Sequence, residues 1–205
     1  MAGVWWLLFI IIAPVSYFII DGKLLVPGDE AATLSNIKAD TALFLAGAAA
    51  FIAGYICFIM LVKTLRKLFR SADPGLDNLT KWMTGFVITG TLLVLTGKVA
   101  EAAAVSMSNS TDTDGLLNLR TNIEMAGELF WGLWLVPLAI LIFKSKLIPG
   151  IIGGAALLGV FYHLITFGVF FTTGTDVSAQ PLLLIPGTTG ELSIVLWLLI
   201  KGAKP

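Results

Sequence analysis

Six long apolar runs dominate this sequence, and a chain that carries them has few folds open to it. They cover about 4–20, 41–62, 82–105, 123–143, 149–172 and 181–200. A helix rises about 1.5 Å per residue, so about 20 apolar residues cross a hydrocarbon core about 30 Å thick. Inside that core every backbone N–H and C=O needs an internal partner, which makes runs of this length helices. The expectation is an all-α polytopic membrane protein, a six-transmembrane-helix bundle forming one domain over residues 1–205. The first run reaches about 25 Å, near the short limit for spanning. No Lys or Arg precedes it and no small-residue cleavage pattern follows it, so it is expected to remain as a span. The sixth is irregular: 181–185, a Pro186-Gly187 break, then 188–200.

Composition excludes several classes. Of 205 residues, 57% are hydrophobic and 13% charged, with a mean hydropathy of +0.93. Soluble domains hold roughly a quarter of their residues charged, so lipid is the expected surrounding. Thirteen basic and thirteen acidic residues cancel, and no run of like charge suits nucleic acid. The single cysteine, Cys57, lies in the apolar segment FIAGYICFIM and has no second thiol to bridge. The chain lacks HExxH, GxSxG, a phosphate-binding glycine loop and a histidine pair for haem, so motifs leave the cofactor unknown. Asn109-Ser110-Thr111 matches a glycosylation acceptor, which a bacterial host leaves idle.

Charge in the loops orients the bundle. Lys63, Arg66, Lys67, Arg70, Lys81, Lys144, Lys146, Lys201 and Lys204 fall on one side, and Lys23, Lys38, Lys98 and Arg120 on the other. Nine against four puts both termini in the cytoplasm. Trp5, Trp6 and Trp82 are expected at the inner boundary, where amphipathic rings are favoured. Ala46, Ala50 and Gly54, and Gly150 and Gly154, recur every four residues and are expected to seat neighbouring helices closely. On the outer side, Pro27-Gly28 forms a turn and Asp29 caps a short surface helix over 29–38. Trp131 and Trp134 are expected to pack, not to cage a ligand.

Three segments then become familiar together. LLVPGDEAATLSNI, GELFWGLWLVPLAILIFKSKLIPGIIGG and LLLIPGTTGELSIVLWLLIKG occur in the order and spacing of one bacterial family. The chain resembles the domain-of-unknown-function 4386 family of six-span membrane proteins. The resemblance implies a multi-pass protein of the bacterial plasma membrane and carries no catalytic residues with it.

Ionisable residues inside the spans hold the remaining information, since each costs several kcal/mol unless paired, neutralised or wet. Lys98 and Glu101 fall near the outer end of the third span, Glu124 at the mouth of the fourth, and Glu128 about 8 Å inside it. His163 is expected in the outer half of the fifth span, and Glu191 opens the sixth. Thr84, Thr91 and Lys98 form a polar stripe at heptad spacing. Glu124 and Glu128 are four apart and face one way, so a proton or a cation must relieve the pair. Plainer roles stand beside these. Glu191 fits a capping box with Thr188, Lys98 and Glu101 an i,i+3 pair, Glu124 an interfacial start, and His163 a packing residue.

Three functions follow from this pattern. The first is a binding or transport module for a small molecule, proton or cation. Its outward-facing polar pocket would lie between the third to sixth helices, holding Glu128, His163 and Glu191, with Lys98, Glu101 and Glu124 nearby. The second is an accessory subunit of a homo-oligomer or larger membrane complex, and the third a membrane enzyme with a Glu/His metal site. Reporter fusions at Pro205 and within 108–118 are expected to report opposite sides of the membrane. Same-side signals would contradict the assigned topology.

Overall fold

The structure is a computed structural model that describes residues 1–26, 29–107 and 113–202. The Pro27-Gly28 turn, the Asn109-Ser110-Thr111 acceptor and Lys204 lie outside the described residues. Seven helices follow in chain order, with no strand among the described residues. They are α1 (Ala2–Leu24), α2 (Glu30–Ala39), α3 (Thr41–Ala72), α4 (Pro74–Ser106), α5 (Thr113–Ser145), α6 (Gly150–Thr173) and α7 (Pro181–Ile200). All but α2 are long and apolar enough to cross a membrane. The six close into a ring: α1 packs on α3, α3 on α4, α4 on α5, α5 on α6, α6 on α7, and α7 again on α1. Large apolar side chains such as Leu45, Leu92, Ile151 and Leu182 remain exposed, as lipid-facing positions would.

The spans overrun their apolar runs at the basic end of the bundle. The stretch 63–81 read as a loop, yet α3 continues ten residues past Val62 and α4 restarts at a 3₁₀ turn over Pro74–Leu76. Periodicity explains this, because Leu61, Leu65 and Phe69 stay buried on one face while the basic residues line the other. Asp77 ties the hairpin together, within 3.5 Å of Arg66, 3.6 Å of Arg70 and 2.9 Å of Lys81. At the opposite end, α2 forms over the stretch predicted for it, with the Asp29 carboxylate accepting from Ala32 N–H at 2.8 Å. It packs Ile37 against Ile20 and Leu24, and Asn36 Nδ2 donates to the Leu24 carbonyl at 3.3 Å. The helix therefore sits over the far end of α1.

An aromatic cluster fills the middle. Trp6 and Trp134 lie 5.6 Å apart, Phe58 meets Trp134 at 5.2 Å and Trp131 at 5.3 Å, and Tyr55 stacks on Trp131 at 5.7 Å. Trp131 and Trp134 are thus packing residues. Trp6 corrects the interfacial expectation, being fully buried, whereas Trp82 is 63% exposed.

Two further expectations are corrected. Small residues do seat the helices, but in a different register. Of the expected set Gly54 is buried against Ala13, Ala50 is half-buried, and Ala46, Gly150 and Gly154 face outward. The buried lines are Gly47, Phe51, Gly54 and Phe58 on α3 and Gly153, Ala156 and Gly159 on α6. Steps of four overshoot a helical turn by about 40°, so a long run of them drifts around the helix. The Pro186-Gly187 break is absent, because α7 runs unbroken through Pro186. Proline removes one N–H, and the helix survives because α6 clasps it on the next residues. A Cβ at Gly187 would press on Tyr162, and one at Gly190 would overlap the Ala155 carbonyl.

Gly190→Ala is expected to lower stability by about 1–3 kcal/mol, since backbone cannot yield to the added methyl. Helix propensity alone predicts the opposite sign. Gly154→Ala, which meets nothing within 4 Å, should stay within about 0.5 kcal/mol. Thermal unfolding of both variants in one detergent checks the contrast, and equal behaviour would refute the clasp.

Candidate functional site

Helix α5 carries Arg120, Glu124 and Glu128 at successive four-residue steps, which stacks them along one face. The first two belong to a buried network that α1 and α4 complete. Lys98 Nζ donates to Asp21 Oδ2 at 2.8 Å and to Glu101 Oε2 at 3.1 Å. Arg120 Nε lies 2.6 Å from Glu101 Oε2, and its Nη2 lies 3.0 Å from Glu124 Oε2 and 3.7 Å from Asp21 Oδ2. Tyr17 Oη donates to Glu124 Oε2 at 3.0 Å. Lys98 Nζ also lies 5.1 Å from the centroid of the Phe51 ring, within cation–π range. A π-helical segment over Val15–Asp21, following Pro14, brings Tyr17 and Asp21 onto the face toward α4 and α5. Three carboxylates meet two cations here, each cation touching more than one acid. The network links three helices.

Glu128, one turn further along α5, takes part in a second cluster. His163 Nδ1 on α6 lies 2.6 Å from Glu128 Oε2, and its Nε2 lies 3.7 Å from Glu191 Oε1 on α7. Glycines let these three helices approach closely enough. A Cβ at Gly132 would stand 3.2 Å from His163 Cβ, and one at Gly159 would stand 3.1 Å from the Gly187 carbonyl. Tyr162 meets the imidazole edge-on at 4.8 Å while its hydroxyl donates to the Ser178 carbonyl at 3.0 Å. Glu191 stands roughly 15 Å from each end of α7, and His163 roughly 15 Å from Thr173, by helical rise. Glu128 and Glu191 therefore stand near the middle of their helices, deeper than the sequence predicted, and His163 stands nearer Thr173 than Gly150. α5 begins ten residues before its apolar run, which moves Glu128 inward, whereas α6 and α7 nearly keep the bounds of theirs.

A cavity of about 410 Å³ opens beside this cluster. Its walls are Phe9, Ala13 and Tyr17 on α1 and Leu184, Thr188 and Glu191 on α7, with Ile10, Pro14 and Leu192 completing it. It lies between the first and sixth spans, not among the third to sixth as the sequence reading had it. Toward the basic end the same two helices touch, for a Cβ at Gly3 would stand 3.0 Å from the backbone of Leu198 and Leu199. The seam is closed at one end and open at mid-depth.

The expected residues thus separate into two groups. Glu128, His163 and Glu191 come together, whereas Lys98, Glu101 and Glu124 join Asp21, Arg120 and Tyr17. Lys98 pairs with Asp21 in place of balancing the histidine cluster, because α1 offers it a closer carboxylate. Lys98 and Glu101 do form the i,i+3 pair, but inside the bundle, with Glu101 only 1% exposed. Glu124 is buried, not interfacial. Glu191 lies in mid-helix, and Thr188 Oγ1 donates to the Leu184 carbonyl at 2.8 Å, so the capping box is absent. Tyr17, Asp21 and Arg120 escaped the sequence reading. Asp21 fell just past the first apolar run, and Arg120 was counted as a loop charge although Arg120-x-x-x-Glu124 is a helical pair spacing. Among the described residues no group of three or more His, Cys, Asp or Glu is placed to hold a metal ion.

Six apolar helices with paired charge at their core define a multi-pass α-helical membrane protein. The chain belongs to the DUF4386 family, described as a domain of unknown function, which it matches over residues 1–202. No curated protein and no solved structure shows a significant match to it.

Arg120→Met leaves Glu101 and Glu124 with less counter-charge in a buried setting, and removing one partner of a buried pair costs about 3–5 kcal/mol. Arg66→Met at the exposed hairpin should cost less than about 1 kcal/mol. Unfolding curves for the two variants check the ordering, and equal losses would contradict a buried network.

Proposed function

We propose that this chain is a binding or transport module of the bacterial plasma membrane that holds a proton or small cation at mid-membrane. Both termini would be cytoplasmic by the charge distribution of the loops. The observation that carries the reading is His163 set between Glu128 at 2.6 Å and Glu191 at 3.7 Å, one residue from each of three helices.

The chemistry follows from the count of donors. A neutral imidazole carries one N–H and serves one carboxylate, while an imidazolium carries two and faces both. Two carboxylates and one imidazole therefore gain or lose a proton as a unit. Intramembrane ionisable groups of this kind mark ion and proton sites, and midplane placement at a helix interface is where transporters bind their cargo. The neighbouring Arg120 network differs, because its cations are already matched to carboxylates at contact distance. That arrangement suits a structural clamp that holds α1, α4 and α5 in place beside the site.

The chain has one histidine, so ring labelling with ¹⁵N reports this site alone. In lipid bilayers the His163 ring is expected to change between one and two N–H signals with pH. Glu128→Gln and Glu191→Gln should each move the midpoint by about one pH unit. A ring whose titration ignores both substitutions would contradict the reading.

A further inference from the structure

We propose that the cavity between α1 and α7 is a lateral binding site for an amphipathic amine, its apolar body in the groove and its ammonium on Glu191. The inference rests on the reading above and names the class of molecule that the site would take.

Charge supplies the first argument. Glu191 approaches His163 only at 3.7 Å, beyond hydrogen-bond distance, while the imidazole makes its short contact with Glu128. Two carboxylates share one histidine, so at most one of them is matched when both are ionised. The Glu191 carboxylate lines the cavity and is the only acid among the described residues that does so. An acidic group exposed to an apolar cavity at mid-membrane depth attracts a cation strongly, because little around it screens the charge.

Shape and lining decide which cation. A bare metal ion asks for several oxygen ligands. The cavity presents one carboxylate and two hydroxyls, those of Thr188 and Tyr17, fewer oxygens than such an ion asks for. Phe9, Ala13 and Leu184 make the remaining wall apolar. A volume of about 410 Å³ falls in the range of small-molecule sites, far more than an ion needs. An ammonium with an alkyl or aryl body satisfies both halves: one charge-assisted contact to Glu191 and apolar contact along α1 and α7.

Access agrees with that chemistry. The α1–α7 seam is sealed near Gly3 and Leu198, and it parts between Phe9 and Tyr17, in the middle of α1. Tyr17 and Leu192, on opposite lips, are exposed. A ligand that partitions into lipid reaches Glu191 sideways without passing the Arg120 network.

The test uses the full chain in lipid nanodiscs with ¹⁵N-labelled histidine, titrated at neutral pH with octylammonium and, separately, with octanol. Octylammonium should shift the His163 signal saturably and bind at least about ten-fold more tightly than octanol, as one charge-assisted contact allows. Glu191→Gln should reduce its affinity to that of octanol, and Leu184→Trp, which fills the groove, should abolish both. Equal affinity for amine and alcohol in the parent protein overturns the proposal, even if Glu191→Gln fails to fold. An undiminished amine response in Glu191→Gln overturns it too. The broader reading fails separately: a His163 ring that titrates with the expected carboxylate dependence but ignores amines contradicts this inference alone.

Discussion

Lipid cannot solvate a charge, and that constraint organises the interior of this bundle. Asp21, Lys98, Glu101, Arg120 and Glu124 lie within the spans, and each lies within contact distance of an opposite charge on another turn or another helix. Removing any one of them strands its partners where neither water nor screening relieves them. The network therefore acts on geometry as much as on energy. It fixes the depth and rotation of α1, α4 and α5 relative to one another, which apolar packing in lipid specifies weakly.

The histidine cluster depends on that frame. Glu128 is one helical turn from Glu124, so the Arg120 network sets the face that Glu128 presents to α6. Glycines at 132, 159, 187 and 190 then bring α5, α6 and α7 close enough for short side chains to meet. Both groups share α5, but their charge states differ. In one, two cations bridge three carboxylates; in the other, a single imidazole serves two. In the proposed function the first holds the helices in place and the second changes its proton count. The α1–α7 cavity adjoins the second group through Glu191 and borders the first through Tyr17.

Some of this was visible in the residues and some was not. Hydropathy gave six spans and the Asp29 cap gave α2, because run length and local hydrogen bonding are properties of short segments. Helix ends were placed too far in, since amphipathic turns carrying Lys63 to Arg70, or Arg120, continue a helix without raising hydropathy. That error left Arg120 in a loop, while the expected Pro186-Gly187 break made Glu191 the start of a helix that in fact runs on both sides of it. Pairing across the bundle was harder to see. Depth brought Glu128, His163 and Glu191 together, but the choice of partner for Lys98 depended on a π-helical segment that turns Asp21 toward it, and no spacing rule announces such a segment. The cavity was misplaced because ring closure of α7 onto α1 is a tertiary outcome.

The central claim is that His163 and Glu128, from neighbouring helices, share a hydrogen bond inside the membrane. Solid-state magnetic resonance on bilayer-embedded protein, with labelled histidine ring nitrogen and glutamate carboxyl carbon, measures it directly. The account predicts a strong dipolar contact between the His163 ring and a carboxyl group, as a nitrogen–oxygen separation of 2.6 Å requires, and its loss in Glu128→Ala. A ring with no carboxyl contact, or one unchanged by Glu128→Ala, would contradict it.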